Sequence, residues 1–218
     1  MQIYKILLIS FIYIVCSGNI DCDLPEPYKN INILPLKAWD SWFINQKPLL
    51  RLIERYNPNI VVELGSWLGA STTFMAKNSN ASCHIYAVDI WSETKQCAES
   101  IKFSKDEPRI FFDEIYQQFL SNIIHLGLTD KIIPIRMDTL EAARCLNIQP
   151  DLVYVDASHE TDAVYNDIKF WYVKLQANGI MCGDDWGWPS VQEGVKKIAN
   201  ELGQKISFAV NMWWFEPK

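Results

Sequence analysis

Short runs of branched apolar residues alternate with helical segments from residue 60 to the end of the chain. The runs predicted as strands are 60–64, 84–89, 131–136, 152–155 and 179–183, with one or two more within 205–215. Helices are predicted at 72–77, 113–126, 139–146, 161–175 and 191–202. This alternation predicts an α/β fold, in which a doubly wound, mainly parallel sheet carries helices on both faces.

The chain before this pattern divides into three parts. Residues 1–18 combine Lys5, an apolar run at 6–15 and small residues, which is the pattern of a secretory signal peptide or anchor. The run is shorter than the ~20 apolar residues of a membrane span, so no stable span is expected. Prolines and turn formers predict an N-terminal arm or linker over 19–35. The domain then covers 36–218, and its first part, 36–56, is predicted as a helical pair broken near Pro48.

The N-terminal pattern also bears on location. A true signal predicts a secretory or membrane-associated protein, and a cytoplasmic protein is expected if the segment is not a signal. The tripeptide Asn80-Ala81-Ser82 is a glycosylation sequon, which has meaning only in a eukaryotic secretory pathway.

Composition narrows the classes of function. With 20 basic and 26 acidic residues, the formal net charge is −6. Because phosphate contacts need clustered Lys and Arg, this balance argues against nucleic acid as a partner. The 49% hydrophobic content is ordinary for a globular domain and excludes a disordered chain.

Glycines and polar residues follow the first predicted strand, where ligands bind in a parallel sheet. Gly65 allows a sharp turn off the strand, and Gly69 lets the next helix approach closely. Free N–H groups at that helix start can hold an anion, and Ser71 adds a hydroxyl there. Glu63 lies near the end of an apolar strand, where a carboxylate is costly to bury unless it meets a cation or donors.

Asp89 ends the second predicted strand, 24 residues after Gly65. A carboxylate at that point is placed to accept hydrogen bonds from ribose hydroxyls. The glycine spacing is G-x-x-x-G, which differs from the G-x-G-x-x-G of dinucleotide enzymes. Turn glycines without any binding function are the alternative interpretation.

These segments resemble class I S-adenosylmethionine-dependent methyltransferases. VVELGSWLGAST is similar to their first motif and AVDIW to their second, whereas Asp138 in IRMDTLEAA stands where that family often contacts adenine. The resemblance implies a Rossmann-like, seven-stranded sheet and S-adenosylmethionine as cofactor. It implies cofactor contacts from Glu63, Gly65, Ser66, Gly69, Ser71, Asp89 and Asp138. Trp67 stands where the broader class usually has glycine, which we interpret as subfamily character.

A second group of polar residues follows the fourth and fifth predicted strands. Asp156 and His159 lie in DLVYVDASHE, and Asp184 and Asp185 in GIMCGDDWGW. Three converging carboxylates suit a hard divalent ion such as Mg²⁺, although adjacent Asp residues before a turn are also common helix caps. His159 is either a hydrogen-bonded loop histidine or a general base beside that ion.

The order Asp-x-x-His, then Asp-Asp after the next strand, resembles the metal-dependent macrolide sugar O-methyltransferases. The resemblance implies that Asp156, Asp184 and Asp185 hold Mg²⁺ and that His159 is the base. The acceptor would be a hydroxyl group on a small molecule or sugar. Catechol-type O-methyltransferases are more distantly similar, with Asp-Asn in place of Asp184-Asp185.

Acceptor-binding residues cannot be assigned in the same way. The segment 92–112 has no clear periodicity and is predicted to be a lid or binding loop. Trp186 and Trp188 could form an apolar wall against the ring of an acceptor, or simply pack.

Two other functions remain compatible with this fold. One is a nicotinamide-dependent oxidoreductase, against which the glycine spacing speaks. The other is a non-catalytic secreted binding protein, which the signal-like N-terminus would favour.

Overall fold

The computed structural model describes residues 24–37, 43–92 and 115–215. The predicted signal segment, 1–18, lies outside these residues, as does the predicted loop 92–112 apart from Ser92. Among the helices that are described, none has both the length and the apolar character needed to cross a membrane.

Seven strands form one sheet, as predicted. They are β1 (Ile60–Leu64), β2 (His84–Asp89), β3 (Ile132–Arg136), β4 (Leu152–Val155), β5 (Ile180–Gly183), β6 (Ile206–Ala209) and β7 (Met212–Phe215). Their order is β3-β2-β1-β4-β5-β7-β6, and β7 alone runs antiparallel to both of its neighbours. The order reverses between β1 and β4, which is the point where ligands bind in open sheets of this kind.

Six helices are described. They are α1 (Gln46–Tyr56), α2 (Ala70–Asn78), α3 (Ile115–His125), α4 (Thr139–Cys145), α5 (Thr161–Tyr172) and α6 (Pro189–Leu202). The predicted break near Pro48 is wrong, because Pro48 lies inside the first turn of α1, and residues 38–42 of the predicted helical pair lie outside the described residues. A proline is tolerated there, since the N–H that it lacks would have no partner within the helix.

Alternate residues of β1 point into two separate cores. Val61 belongs to a core with Leu49 of α1 and Phe119 of α3, and its neighbour Val62 to a core with Trp171 of α5. Helices α1 to α3 therefore cover one face of the sheet, and α4 to α6 cover the other. This two-layer burial leaves the carboxyl ends of the strands as the open edge.

The N-terminal segment 24–37 packs along α3. The Tyr28 hydroxyl donates to the Ile132 carbonyl at 2.7 Å, and the ring is fully buried. The Asn122 side chain of α3 accepts from Lys37 N at 2.9 Å and donates to the Leu68 carbonyl at 2.9 Å. These contacts connect the segment to the loop after β1. His125 contacts the Leu34 carbonyl at 2.8 Å, away from the open edge of the sheet.

Candidate active site

Gly65 begins the loop after β1 and contacts the end of β4. Its φ is +85°, and a Cβ atom there would stand 1.9 Å from the backbone oxygen of Asp156. Both the backbone conformation and the close approach require glycine at this position. The contact brings the predicted cofactor loop directly against the predicted metal residues.

Glu63 is fully buried at the end of β1 and anchors the start of α2. One carboxylate oxygen accepts from the Ser71 hydroxyl at 2.5 Å, and the other accepts from the Thr72 hydroxyl. Burial raises the pKa of Glu63 to about 7, although these hydroxyls favour the charged form. The hydrogen-bond donors that a buried Glu63 was expected to need are therefore the hydroxyls of Ser71 and Thr72, in the first turn of α2. Gly69, with φ +89°, precedes that helix.

Asp89, at the end of β2, binds backbone N–H groups of the loop after β1. One carboxylate oxygen accepts from Ser66 N and Trp67 N, both at 2.9 Å, and the other accepts from Trp91 N at 2.7 Å. The Trp91 indole N–H donates to the Trp67 carbonyl at 2.8 Å. Burial raises the pKa of Asp89, and the backbone N–H groups oppose that shift.

Trp67 adopts the backbone conformation that favours glycine. Its φ is +46°, in the left-handed region. That conformation explains why glycine is usual at this position in the class that the sequence resembles. The contacts with Asp89 and Trp91 hold the tryptophan in it.

Asp138 follows β3 and caps α4. Its side chain accepts from Leu140 N at 2.9 Å and from Glu141 N at 3.2 Å, and the residue is exposed. These are N-cap contacts, which satisfy backbone donors that have no partner within the helix. The residue lies at the same open edge of the sheet as Asp89, because β3 pairs with β2.

Asp156, His159 and Asp185 form one cluster. A ligand atom from each lies within 4.8 Å of the others, and His159 Nε2 is 2.7 Å from Asp185 Oδ2. No hydrogen-bond donor among the described residues meets the Asp156 carboxylate. Burial and the negative charges of Asp184 and Asp185 raise the pKa of Asp156 well above its usual range. A carboxylate in these surroundings needs either a proton or a cation.

Asp184 is buried, and its carboxylate accepts hydrogen bonds from a set of neutral side chains. Its Oδ1 atom accepts from the side chains of Asn45 at 2.5 Å and Asn211 at 3.0 Å, and its Oδ2 atom accepts from the Tyr154 hydroxyl at 3.2 Å. Burial, ahead of the charge of Asp185, raises the pKa of Asp184. The structure thus brings Asp156 and Asp185 together with His159, whereas Asp184 lies among neutral donors.

Three residues of this set carry no sequence signal of a site. Asn45 precedes a helix and would be read as its cap, although its side chain makes no capping hydrogen bond. Tyr154 reads as a strand residue and Asn211 as a turn residue. Only the buried hydroxyl in an apolar strand, at Tyr154, could have hinted at a polar partner.

Aromatic rings flank the cluster. The Trp188 ring stacks on His159 at a centroid distance of 4.9 Å and is 51% exposed. Trp186 instead stacks on Phe208 at 5.4 Å. The hydrogen bond to Asp185 raises the pKa of His159, against the effect of burial.

The donor set of the cluster fits a divalent cation. The two carboxylates supply oxygen ligands, with the imidazole beside them, and an Asp-rich site suits Mg²⁺ or Mn²⁺. The unpartnered carboxylate of Asp156 is the feature that an ion would satisfy. Ligand atoms of Asp156, His159 and Asp185 lie within 4.8 Å of one another, whereas Asp184 is outside this group and its Oδ1 atom accepts from two amides.

Comparisons with known proteins agree on one family. Residues 62–186 match the family described as methyltransferase domain. The O-methyltransferase hkm8 of Aspergillus hancockii is 29% identical over 129 residues, which cover 59% of this chain and 43% of that protein. The chain therefore spans less than half the length of this curated relative.

Solved structures show the same fold at low identity. An O-methyltransferase from Bacillus cereus, in complex with SAH, superposes on this chain with a TM-score of 0.58 at 13% sequence identity. The superposition covers 83% of this chain and 84% of the Bacillus cereus chain. TomG, an O-methyltransferase of Streptomyces achromogenes involved in tomaymycin synthesis and solved with SAM, gives 0.58 at 12% identity, with 84% and 82% covered.

Proposed function

The chain belongs to the family of methyltransferase domains, and on that basis we propose that it methylates a hydroxyl oxygen of a small molecule or sugar. The methyl donor is S-adenosylmethionine, and a divalent cation, Mg²⁺ in the first instance, assists the transfer. The observation that carries the proposal is the contact between Gly65 and Asp156, which joins the glycine loop to the acidic cluster.

The cofactor side of the proposal uses the loop after β1 and the ends of β2 and β3. The cofactor would lie along Gly65, Ser66 and Gly69, with Asp89 toward its ribose and Asp138 toward its adenine. Glu63 and Ser71 would support the cofactor indirectly, because the hydrogen bond between them fixes the first turn of α2. SAM and SAH in the complexes of the similar O-methyltransferases support this choice of cofactor.

On the acceptor side, Asp156 and Asp185 would hold the cation. When bound, the cation lowers the pKa of the acceptor hydroxyl and fixes its direction, whereas the donor supplies an electrophilic methyl group. The predicted third ligand, Asp184, would contribute by orienting its neighbour. Direct coordination of the cation by Asp184 is the alternative, which substitutions of Asp184 can test.

His159 would accept the proton of the acceptor hydroxyl. Its Nε2 atom lies 2.7 Å from Asp185 Oδ2, so a proton on Nε2 is held by that carboxylate. The neutral ring then carries its lone pair on Nδ1, which is the basic atom. Asp185 would thus fix the tautomer of His159 as well as binding the cation.

Trp188 gives the acceptor an apolar surface beside the reacting groups. The indole is half-exposed and its inner face is stacked on His159. An acceptor ring lying against it would present its hydroxyl toward the cluster. The acidic cluster next to an aromatic surface suits a neutral, hydroxylated ring compound better than an anion.

The test is transfer of a labelled methyl group from S-adenosylmethionine to a panel of phenols, catechols and sugars. We expect transfer with Mg²⁺, loss of transfer with EDTA, and recovery when Mg²⁺ is restored. His159→Ala and Asp185→Ala should each lower kcat at least about 100-fold. Asp162→Ala, at an exposed position of α5, is the matched control and should retain activity. Full activity in both site variants would refute the assigned roles.

The N-terminal pattern supports a proposed secretory or membrane-associated location. N-terminal sequencing of the protein recovered from its native cell would test it. A chain that begins within a few residues of position 19 supports a cleaved signal, and an intact residue 1 in the cytoplasm contradicts it.

A further inference from the structure

We propose that Asn211, in the turn between β6 and β7, is a positioning residue that aims the Asp185 carboxylate into the cluster. The inference rests on the proposed function, because the cluster is the cation site assigned there. Asn211 itself is no member of the cluster and lies two strands away from Asp156 in the sheet order.

The side chain of Asn211 contacts both acids at the end of β5. Its Nδ2 atom donates to Asp184 Oδ1 at 3.0 Å and lies 3.3 Å from Asp185 Oδ1. The opposite oxygen, Asp185 Oδ2, meets His159 at 2.7 Å. Asp185 is therefore held from two sides, with Asn211 on one and His159 on the other. The direction of its carboxylate follows from these two contacts.

The same asparagine also holds the backbone of the loop after β5. Its Oδ1 atom accepts from Gly187 N at 2.7 Å, and its carbonyl accepts from Trp186 N at 2.8 Å. Its own N–H donates to Asn45 Oδ1 at 3.1 Å. One residue thus satisfies donors and acceptors at several points of the loop after β5.

The backbone of Asp185 is left-handed, with a φ of +61°. Aspartate adopts this conformation more readily than most residues, at a cost in free energy that the contacts with Asn211 help to offset. Without the side-chain amide of Asn211, Asp184, Asp185 and Gly187 would each lose a hydrogen-bond contact. The Asp185 carboxylate would then sample other directions, and Asp156 would be left as a lone ligand.

The chemistry of the amide explains why asparagine serves here. Its NH₂ group can donate to both carboxylates, whereas its oxygen accepts from a backbone N–H. A carboxylate in its place would add a third charge beside Asp184 and Asp185, and the donors would be lost. An alanine would keep the hairpin turn and remove only the side-chain contacts.

The experiment measures Mn²⁺ binding to the full chain without cofactor, by the loss of the free Mn²⁺ signal in electron paramagnetic resonance. Wild type is compared with Asn211→Ala and with Asn211→Ser, a milder change whose hydroxyl is too short to reach both acids. Asn200→Ala, at an exposed position of α6, is the matched control. Circular dichroism and melting curves establish that each variant is folded at the temperature used.

We expect the dissociation constant for Mn²⁺ to rise at least about tenfold in Asn211→Ala and to rise in Asn211→Ser, with the control unchanged. An unchanged constant in either folded variant would overturn the positioning role. Tighter binding would also overturn it, because the amide would then compete with the ion for the carboxylates.

Wild-type protein that binds no Mn²⁺ would overturn the inference as well. Methyl transfer in EDTA separates that outcome from a failure of the proposed function. If methyl transfer persists without any cation, the protein is a methyltransferase that needs no metal site. The proposed role of Asn211 would then be wrong, although the proposed methyl transfer would stand.

Discussion

The backbone oxygen of Asp156 occupies the space in which a side chain at Gly65 would begin. The distance of 1.9 Å between that oxygen and a Cβ built on Gly65 leaves no room for any other residue. Two parallel strands that are neighbours in the sheet, β1 and β4, thereby bring a glycine loop and a carboxylate cluster into contact. Gly65 is therefore required by the packing of β1 against β4 and also belongs to the proposed cofactor site.

Gly65→Ala should destabilise the protein by more than about 2 kcal/mol, because the clash adds to the strain of a positive φ. Gly127→Ala is the matched control, since Gly127 has φ +64° and nothing within 4 Å of its Cβ position. Urea denaturation of both variants measures the difference. Equal losses of stability would show that the contact with Asp156 contributes nothing beyond backbone strain.

Asp167 should make the protein less stable as the pH rises through the neutral range. The residue is buried in α5, where its carboxylate accepts from the Thr139 hydroxyl at 2.5 Å, and burial raises its pKa to about 7. Between about pH 4 and pH 7 the folded chain holds a proton that the unfolded chain has released, so stability falls as the pH rises.

Asp167→Asn should remove that loss. The free energy of unfolding of the variant, relative to wild type, should increase by on the order of 3 kcal/mol between pH 4 and pH 8. Denaturation at a series of pH values gives this difference directly. Asp162→Asn, at an exposed position of the same helix, should show no such trend. A flat difference for Asp167→Asn would mean that Asp167 is charged in the folded protein.

Asp89→Ala should weaken binding of S-adenosylhomocysteine at least about tenfold. Its carboxylate holds three backbone N–H groups of the cofactor loop and the β2 end, and charged acceptors of this kind contribute roughly 1.5–3 kcal/mol each. Calorimetry with Asp130→Ala as an exposed control measures the effect. Unaltered affinity would show that neither the loop nor the ribose depends on Asp89.

Trp188→Ala should raise the KM for a ring-bearing acceptor about tenfold and leave the affinity for S-adenosylhomocysteine unchanged. The indole is stacked on His159 and 51% exposed, so its loss removes apolar surface beside the acceptor and none from the loop after β1 that would hold the cofactor. Trp188→Phe should keep most of that surface and most of the wild-type KM. The role is refuted if the alanine variant has a wild-type KM for every acceptor.

Much of the fold follows from local sequence. Strands β1, β2 and β4 begin and end where the branched apolar runs do, because buried parallel strands read as continuous apolar segments. The helix start at Gln46 was missed for a local reason: a proline breaks a helix in its interior and is tolerated in its first turn.

The site was predictable only as far as it depends on strand ends. Topology alone brings Asp156 and Asp185 to the same edge, since β4 and β5 pair in parallel. The separation of Asp184 from its neighbour depends on Asn45, which is 139 residues away in the chain, and on Asn211. No local pattern encodes such a partnership, and buried polar networks of this kind emerge only when the fold has brought distant segments together.

The most direct measurement is anomalous scattering from a crystal of the protein grown with Mn²⁺ and S-adenosylhomocysteine. We predict one Mn²⁺ peak within bonding distance of carboxylate oxygens of Asp156 and Asp185, with S-adenosylhomocysteine lying on the loop from Gly65 to Gly69. A peak at other residues, no peak at saturating Mn²⁺, or a ligand at another edge of the sheet would contradict it.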